Sequence, residues 1–159
     1  MNRKLIFGLC ALLTFSACKK QEDVYDVNQV KAQLNTPKTR EKSDEQYIAV
    51  LYADMFNTPI SVSQMTAVSH IFTSIGDKDL VRELLISNYM NKSSVQLPTN
   101  NQMRSNIPLF VTQTYHKFLV RDPTQAELAY FTKYIENHPN VTPELVYFSF
   151  ASSNEYKFY

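Results

Sequence analysis

The sequence predicts an all-α protein, a small helical bundle made of two tandem three-helix units. After residue 42, apolar residues recur at spacings of three and four, the period of helices with one buried face. Several of these stretches begin with Ser or Thr followed three residues later by Gln or Glu, the capping-box pattern of a helix start. Only two glycines occur among 159 residues. A hairpin-rich β fold, whose tight turns need positive-φ residues, is therefore not expected.

The first predicted element is an export signal over residues 1–17. Two basic residues precede an apolar run from Leu5 to Ala17. This run has about 13 residues, whereas a membrane-spanning helix needs about 20, so it indicates a removable signal peptide. Ser16-Ala17-Cys18 resembles the lipobox of bacterial lipoproteins, in which small residues precede a cysteine that receives diacylglycerol. We therefore expect lipidation at Cys18; the alternative is a secreted protein with an unmodified cysteine at its start.

Residues 18–42 are predicted to be the lipidated cysteine and a flexible polar tether. The charged stretch Lys19-Lys20-Gln21-Glu22-Asp23 resembles the surface-export tag of lipoproteins in the Bacteroidota, and no aspartate directly follows Cys18. The resemblance implies an outer-membrane location, with the lipid as the membrane contact. Both the periplasmic and the cell-surface face stay open, and the charged stretch favours the surface. No disulfide is expected, because Cys10 leaves with the signal peptide.

The first three-helix unit is predicted over residues 43–91. Ser43 and Ser61, each followed three residues later by glutamine, start the first two helices. Asp77 caps the third helix, and Gly76 fits a left-handed cap at the end of the second. The residues expected to face inward are Tyr47, Val50, Leu51, Met55, Met65, Val68, Ile71, Phe72, Ile75, Leu80, Val81, Leu84, Leu85 and Tyr89.

A polar loop from Asn91 to Asn101 leads to the second three-helix unit, predicted over residues 102–159. Its helices begin near Ile107, after the Thr124 cap and after the Thr142 cap. The units align at an offset of about 63 to 65 residues, which predicts an internal duplication. The residues expected to face inward are Phe110, Tyr115, Phe118, Leu119, Leu128, Phe131, Tyr134, Ile135, Leu145, Val146, Phe148 and Tyr156.

A pattern of the form Y-x-x-x-L-x-R-x-P, then a helix, then S-x-E-[FY], runs through the second unit. It is filled by Tyr115, Leu119, Arg121, Pro123 and Ser153-Asn154-Glu155-Tyr156. With this pattern the unit resembles a small helical module of unknown function found in many secreted and surface bacterial proteins. The resemblance implies a scaffolding or interaction role and supplies no catalytic residue. We expect Arg121 to hold the fold by pairing with Asp122 or Glu155.

The sequence predicts no catalytic centre, metal site or cofactor. His70, His116 and His138 are widely spaced, and no pair has the helical spacing of a zinc motif. Carboxylates cluster at predicted helix starts, where the helix dipole favours negative charge. A net charge of +1 gives no field that attracts nucleic acid, so no nucleic-acid partner is expected. We therefore expect a protein that is not an enzyme.

Aromatic residues crowd the last two predicted helices and exceed what their buried faces need. We interpret the surplus as a partner surface, formed by Tyr130, Tyr147, Phe150, Phe158 and Tyr159. The expected function is a membrane-anchored interaction or scaffold subunit of an outer-membrane or cell-surface assembly, with a protein partner. Two alternatives stay open. One is a ligand- or glycan-binding lipoprotein associated with nutrient uptake, and the other is an envelope enzyme of unrecognised type.

Overall fold

The computed structural model describes residues 34–159, and over this range the chain is all-α, as predicted. The export signal, Cys18 and most of the tether lie outside the described residues. A π-helical turn, Tyr115–Leu119, continues α5, and a 3-10 turn, Glu155–Lys157, follows α7. The helices are α1 (Asp44–Phe56), α2 (Val62–Ser74), α3 (Lys78–Met90), α4 (Asn100–Ser105), α5 (Ile107–Thr114), α6 (Gln125–Asn137) and α7 (Pro143–Ala151).

Side-chain caps explain where the predicted helices begin. At Ser43, Ser61 and Thr124, the hydroxyl oxygen accepts a hydrogen bond from the backbone N–H three residues later. The side chain of that later residue returns a bond to the cap's own N–H, which completes each capping box. Asp77 accepts hydrogen bonds from two amides of the first turn of α3. These predicted starts are confirmed, because capping is decided within four residues.

The two predicted units share one core. Tyr47 on α1 and Tyr156 in the 3-10 turn are 1% and 0% exposed, and their rings meet edge to face at 5.6 Å. In addition, α3 of the first unit packs against α7 of the second. Buried contacts between the halves therefore make them a single bundle. The internal duplication stays a prediction.

The predicted left-handed cap at Gly76 is wrong. The helix α2 ends at Ser74, Ile75 is extended, and Gly76 does not have a positive φ. The left-handed residue lies instead after α1, at Asn57 with φ 53°, a conformation that Asn tolerates better than most residues. Because Asp77 must already be extended as the cap of α3, the chain leaves α2 through extended backbone.

The loop predicted from Asn91 to Asn101 ends early, because α4 begins at Asn100 behind a further capping box at Thr99. Arg104 of this helix donates hydrogen bonds to four backbone carbonyls at the end of α6 and in its connection to α7. The short helix α4 thereby closes one end of the second unit. Its one fully buried apolar side chain, Met103, gives too little periodicity to predict a helix.

The helix predicted from Ile107 changes geometry before it ends. Its π-helical turn buries Tyr115, Phe118 and Leu119. Val120 then has φ 50°, a left-handed conformation that costs a β-branched residue about 1–3 kcal/mol. The turn brings the Tyr115 and Phe118 rings against α7, and burial of these rings offsets the strain.

The end of the predicted flexible tether belongs to the fold, so its boundary at residue 42 is wrong. Lys42 is 7% exposed, and its Nζ donates hydrogen bonds to the backbone carbonyls of Tyr156 and Phe158. Glu41 forms an antiparallel bridge with Phe158. Contacts with residues more than a hundred positions away fix the conformation of this segment. The polarity of the segment itself does not predict such contacts.

Candidate partner-binding groove

The structure contradicts two residues of the predicted aromatic partner surface. Tyr147 and Phe150 lie on α7 and are only 8% and 4% exposed. The Tyr147 ring meets Phe118 edge to face at 4.9 Å, and the Phe150 ring meets Tyr115 in the same way at 4.9 Å. Because the π-helical turn fills this side of α7, both residues belong to the core and are not available to a partner.

Phe158 and Tyr159 contact the chain's own N-terminal segment. Phe158 is half-buried in its bridge with Glu41. Tyr159 is 41% exposed, and its amide donates a hydrogen bond to the Arg40 carbonyl at 2.8 Å. The guanidinium of Arg40 lies 5.5 Å from the centre of the Tyr159 ring, a cation–π contact. These two residues therefore already have partners within the molecule.

Tyr130, at 63% exposure, is the most exposed residue of the predicted surface. Its ring is nearly parallel to that of Tyr134 at 6.1 Å, and Tyr134 stacks on the His138 imidazole at 4.3 Å. Tyr130 and Tyr134, spaced by four, share one face of α6, and His138 directly follows the helix. Tyr134 is 42% exposed, so its predicted inward position is wrong. The Tyr130 and Tyr134 rings therefore lie next to each other on the surface of α6 and stay partly open to solvent.

An apolar groove of about 430 Å³ lies between α2 and α3. The connection between the two helices is only three residues long, so α2 and α3 lie next to each other and both contribute side chains to the groove. Tyr52 of α1 and Tyr89 of α3 also contribute to its lining. The remaining lining residues are Gln64, Ala67, Val68 and Ile71 on α2, and Val81, Leu84, Leu85, Asn88 and Lys92 on or just after α3.

The groove exists because α2 is packed less deeply than its neighbours. Among the residues of α2, all of which the structure describes, Phe72 alone is buried, whereas α1 and α3 each bury five. Ile71, Leu80 and Leu84 are 48%, 47% and 55% exposed, so their predicted inward positions are wrong. The sequence offers one sign of this groove. Apolar residues occur around more of the circumference of α3 than two neighbouring helices can bury, so some of them must stay exposed.

Arg121 holds the second unit together. Its guanidinium contacts Glu127 at 2.7 Å and Glu155 at 2.7 Å, and it lies 4.9 Å from the centre of the Tyr115 ring. Hydrogen bonds from Arg121 lower the pKa of Glu127 to about 2 and also lower the pKa of Glu155. The arrangement joins the start of α6 to the 3-10 turn. The expected pairing with Glu155 is present, and Glu127 is the additional partner.

A buried polar cluster lies where the two units meet. The Tyr156 hydroxyl donates a 2.7 Å hydrogen bond to Asp54 Oδ2, and Lys42 Nζ lies 4.7 Å from the centre of the Tyr156 ring. Burial raises the pKa of Asp54 to about 6, although the bond from Tyr156 opposes the shift. Burial likewise lowers the pKa of Lys42 to about 8. These contacts tie the N-terminal segment and α1 to the C-terminal turn.

The raised pKa of Asp54 predicts a specific dependence of stability on pH. The folded protein favours neutral Asp54, so this residue's contribution is greatest below its ordinary pKa of 3.8 and is lost as pH rises through about 6. Wild type loses this contribution between pH 4 and pH 7, and Asp54→Asn has none to lose. The unfolding free energy of Asp54→Asn minus that of wild type should therefore rise by roughly 2 kcal/mol from pH 4 to pH 7. Urea unfolding at both pH values measures this change. Exposed Glu136→Gln is the control, and an equal change in both variants would contradict the assignment.

The candidate histidines do not converge with other ligands. His116 Nε2 lies 2.7 Å from Asp122 Oδ1, and His138 Nδ1 lies 2.7 Å from the Tyr134 carbonyl oxygen. Over residues 34–159, no three His, Cys, Asp or Glu side chains are placed to hold a metal ion. Lys92 is the one charged residue among those that line the groove. The groove is therefore suited to apolar binding, with one cation at its edge.

In the described part of the chain, no helix combines the length and apolar character needed to cross a membrane. Comparison with known protein families, curated proteins and solved structures finds no match to this chain. The groove and the N-terminal sequence therefore carry the functional inference.

Proposed function

We propose that this protein is a lipoprotein, anchored through Cys18, that serves as a non-enzymatic interaction subunit of an outer-membrane or cell-surface assembly. The observation that carries the proposal is the half-exposed apolar groove between α2 and α3. Binding sites often lie between the helices of bundles, and Ile71 and Leu84, which line this groove, are about half exposed. The proposed partner surface thus lies on the first unit, away from the aromatic C-terminal half.

The N-terminal segment limits how far the groove lies from the proposed anchor. Asn35 is held to the second unit, where its side-chain amide donates to Asp122 Oδ2 at 3.1 Å and its side-chain oxygen accepts from the Asp122 amide at 3.0 Å. Residues 19–34 connect Cys18 to this point, and a fully extended chain would span at most about 60 Å between Cys18 and Asn35. An acylated Cys18 would therefore hold Asn35, and with it the helical domain, within about 60 Å of the bilayer, where the groove can meet an envelope partner.

Substitution of the proposed anchor should remove the acyl chains that attach the mature protein to the membrane. We expect Cys18→Ser to keep its leader and lose its acyl chains, since stable attachment takes about two such chains. Intact-mass spectrometry of the native protein should show a chain that begins at Cys18 and carries diacylglycerol and a further acyl chain. The matched control is Cys10→Ser, which should fractionate like wild type. A native protein with an unmodified Cys18 thiol would sink the lipoprotein proposal.

A charge placed in the groove should remove the partner without unfolding the domain. Leu84 is 55% exposed, so Leu84→Asp should change stability by no more than about 0.5 kcal/mol. Co-purification after detergent extraction, quantified by mass spectrometry, should show at least about a tenfold loss of the partner, as expected when an interface anchor is replaced by a charge. Leu145→Asp is the control, because Leu145 on α7 is 58% exposed and lies outside the groove. Unchanged partners in the Leu84→Asp sample would remove the groove from the proposal.

A further inference from the structure

We propose that the groove binds an amphipathic helix of a protein partner, about three turns long, with a carboxylate in its first turn. This inference rests on the proposed interaction role and specifies the chemistry of the partner. The groove's shape, the position of its one charged lining residue and the exposure of its rims carry the argument.

The length and walls of the groove fit a helix. Its lining follows α3 from Val81 to Tyr89 and continues to Lys92 just beyond the helix, a span of about three helical turns. The helix α2 forms the opposite wall from Gln64 to Ile71. Side chains on two neighbouring helices leave a trough into which a row of side chains from a third helix can fit. Amphipathic helices bind such troughs through apolar residues at positions i, i+3, i+4 and i+7.

The charge at one end of the groove sets the direction of the helix. Along α3 the lining changes from Leu84 and Leu85 to Asn88 and then Lys92, which lies 5.6 Å from the centre of the Tyr89 ring. A carboxylate of the incoming helix can pair with Lys92 at this end, and a carboxylate is most favourable in the first turn of its own helix, where the N-terminal partial charge is positive. The bound helix therefore runs antiparallel to α3.

The exposed rims favour a helix over a single acyl chain. Small-molecule sites bury most of the surface of their ligand, whereas Ile71 and Leu84 at the rims of this groove are about half exposed. A thin chain between them would leave their outer sides in water, together with Leu80 one turn before Leu84. A helix about 10 Å wide covers both rims and reaches Leu80. Covering these residues stabilises the complex in proportion to the apolar area removed from water.

Synthetic helical peptides test the inference directly. The probe is a 14-residue peptide with leucines at i, i+3, i+4 and i+7 and glutamates in its first turn. One matched peptide has lysines in place of the glutamates, and another has the same composition with the leucine spacing scrambled. Binding to the full chain in lipid nanodiscs is measured by fluorescence anisotropy at low salt, where a pair at the rim is least screened.

We expect the glutamate peptide to bind about fivefold more tightly than the lysine peptide, as an exposed charge pair allows. Lys92→Glu should reverse this order, and Leu84→Asp should weaken both peptides by at least about tenfold. The scrambled peptide should bind no better to wild type than to Leu84→Asp. Equal binding of all three peptides to wild type would overturn the inference.

Two other occupants would also overturn it. Myristate that binds wild type but not Leu84→Asp, with no preference between the charged peptides, would assign the groove to an acyl chain. A dimer in sedimentation velocity that Leu84→Asp dissociates would assign it to a second copy of this chain. If Leu84→Asp loses its native partner while the charged peptides bind equally, the interaction role stands and the helix assignment falls. If the native partner is retained, the proposed role of the groove itself falls.

Discussion

Replacing Tyr156 by alanine should lower the free energy of unfolding by about 4 kcal/mol, the usual cost of truncating a buried aromatic side chain. Tyr156 is 0% exposed, and its ring meets Tyr47 of α1 and Phe118 of the π-helical turn at 5.6 and 5.7 Å. Its hydroxyl is also the hydrogen-bond donor to Asp54. One substitution therefore opens a cavity between the two units and leaves the partly buried Asp54 carboxyl group without its hydrogen-bond donor. The free energy of unfolding of a whole domain is only about 5–15 kcal/mol, so the expected loss is a large fraction of it.

Urea unfolding followed by far-UV circular dichroism measures the effect. Tyr130→Ala removes the same side chain at a site that is 63% exposed, and it should stay within about 0.5 kcal/mol of wild type. Tyr156→Phe keeps the ring and removes the donor to Asp54, so it should cost about 1–3 kcal/mol. Equal losses for Tyr156→Ala and Tyr130→Ala would show that the two halves do not depend on this contact.

The second large effect is expected for Arg121→Ala, at about 2–3 kcal/mol near pH 7, the range for hydrogen bonds to charged groups. The substitution removes the cation between Glu127 and Glu155 and leaves two carboxylates near each other. Their pKa values are held low by bonds from Arg121. The stabilisation is therefore fully present above the ordinary pKa of 4.5 of the two carboxyl groups. It is lost as the pH falls through the lowered pKa of Glu155 and then through that of Glu127, at about 2. The penalty of Arg121→Ala should accordingly shrink at low pH.

Unfolding free energies of wild type and Arg121→Ala, measured at pH 7 and pH 2.5, test whether the penalty shrinks at low pH. Arg121→Lys keeps the charge but loses the paired hydrogen bonds of the guanidinium, so it should recover less than half of the loss. Adding Glu127→Gln and Glu155→Gln to Arg121→Ala should recover part of it at pH 7 by removing the repulsion. Exposed Lys133→Ala on α6 is the control. A penalty that is the same at both pH values would assign the role of Arg121 to packing over the Tyr115 ring.

The helical class and the main helix starts could be predicted because they depend on nearby residues. Ser43, Ser61 and Thr124 form their capping boxes with residues only three positions away. The short helix α4 was missed because its sequence lacks a repeated apolar spacing, although its Thr99 box was visible. The proposed lipid attachment at Cys18 likewise depends on a local motif, and it lies outside the described residues.

Burial on each helix could not be predicted to the same extent, because it depends on what lies opposite. Tyr147 and Phe150 resembled a surplus surface in the sequence, but the π-helical turn covers them. Leu84 fits a core position by spacing alone, yet α2 lies too shallowly to cover it. Lys42 reads as part of a tether until carbonyls from the far end of the chain bind it. By itself, the sequence determined the class of the fold, the capped starts of the main helices and the proposed anchor. The tertiary structure decided which apolar residues remain exposed, because helical period fixes only the relative direction of side chains on one helix, and burial requires a neighbour that fills the facing space.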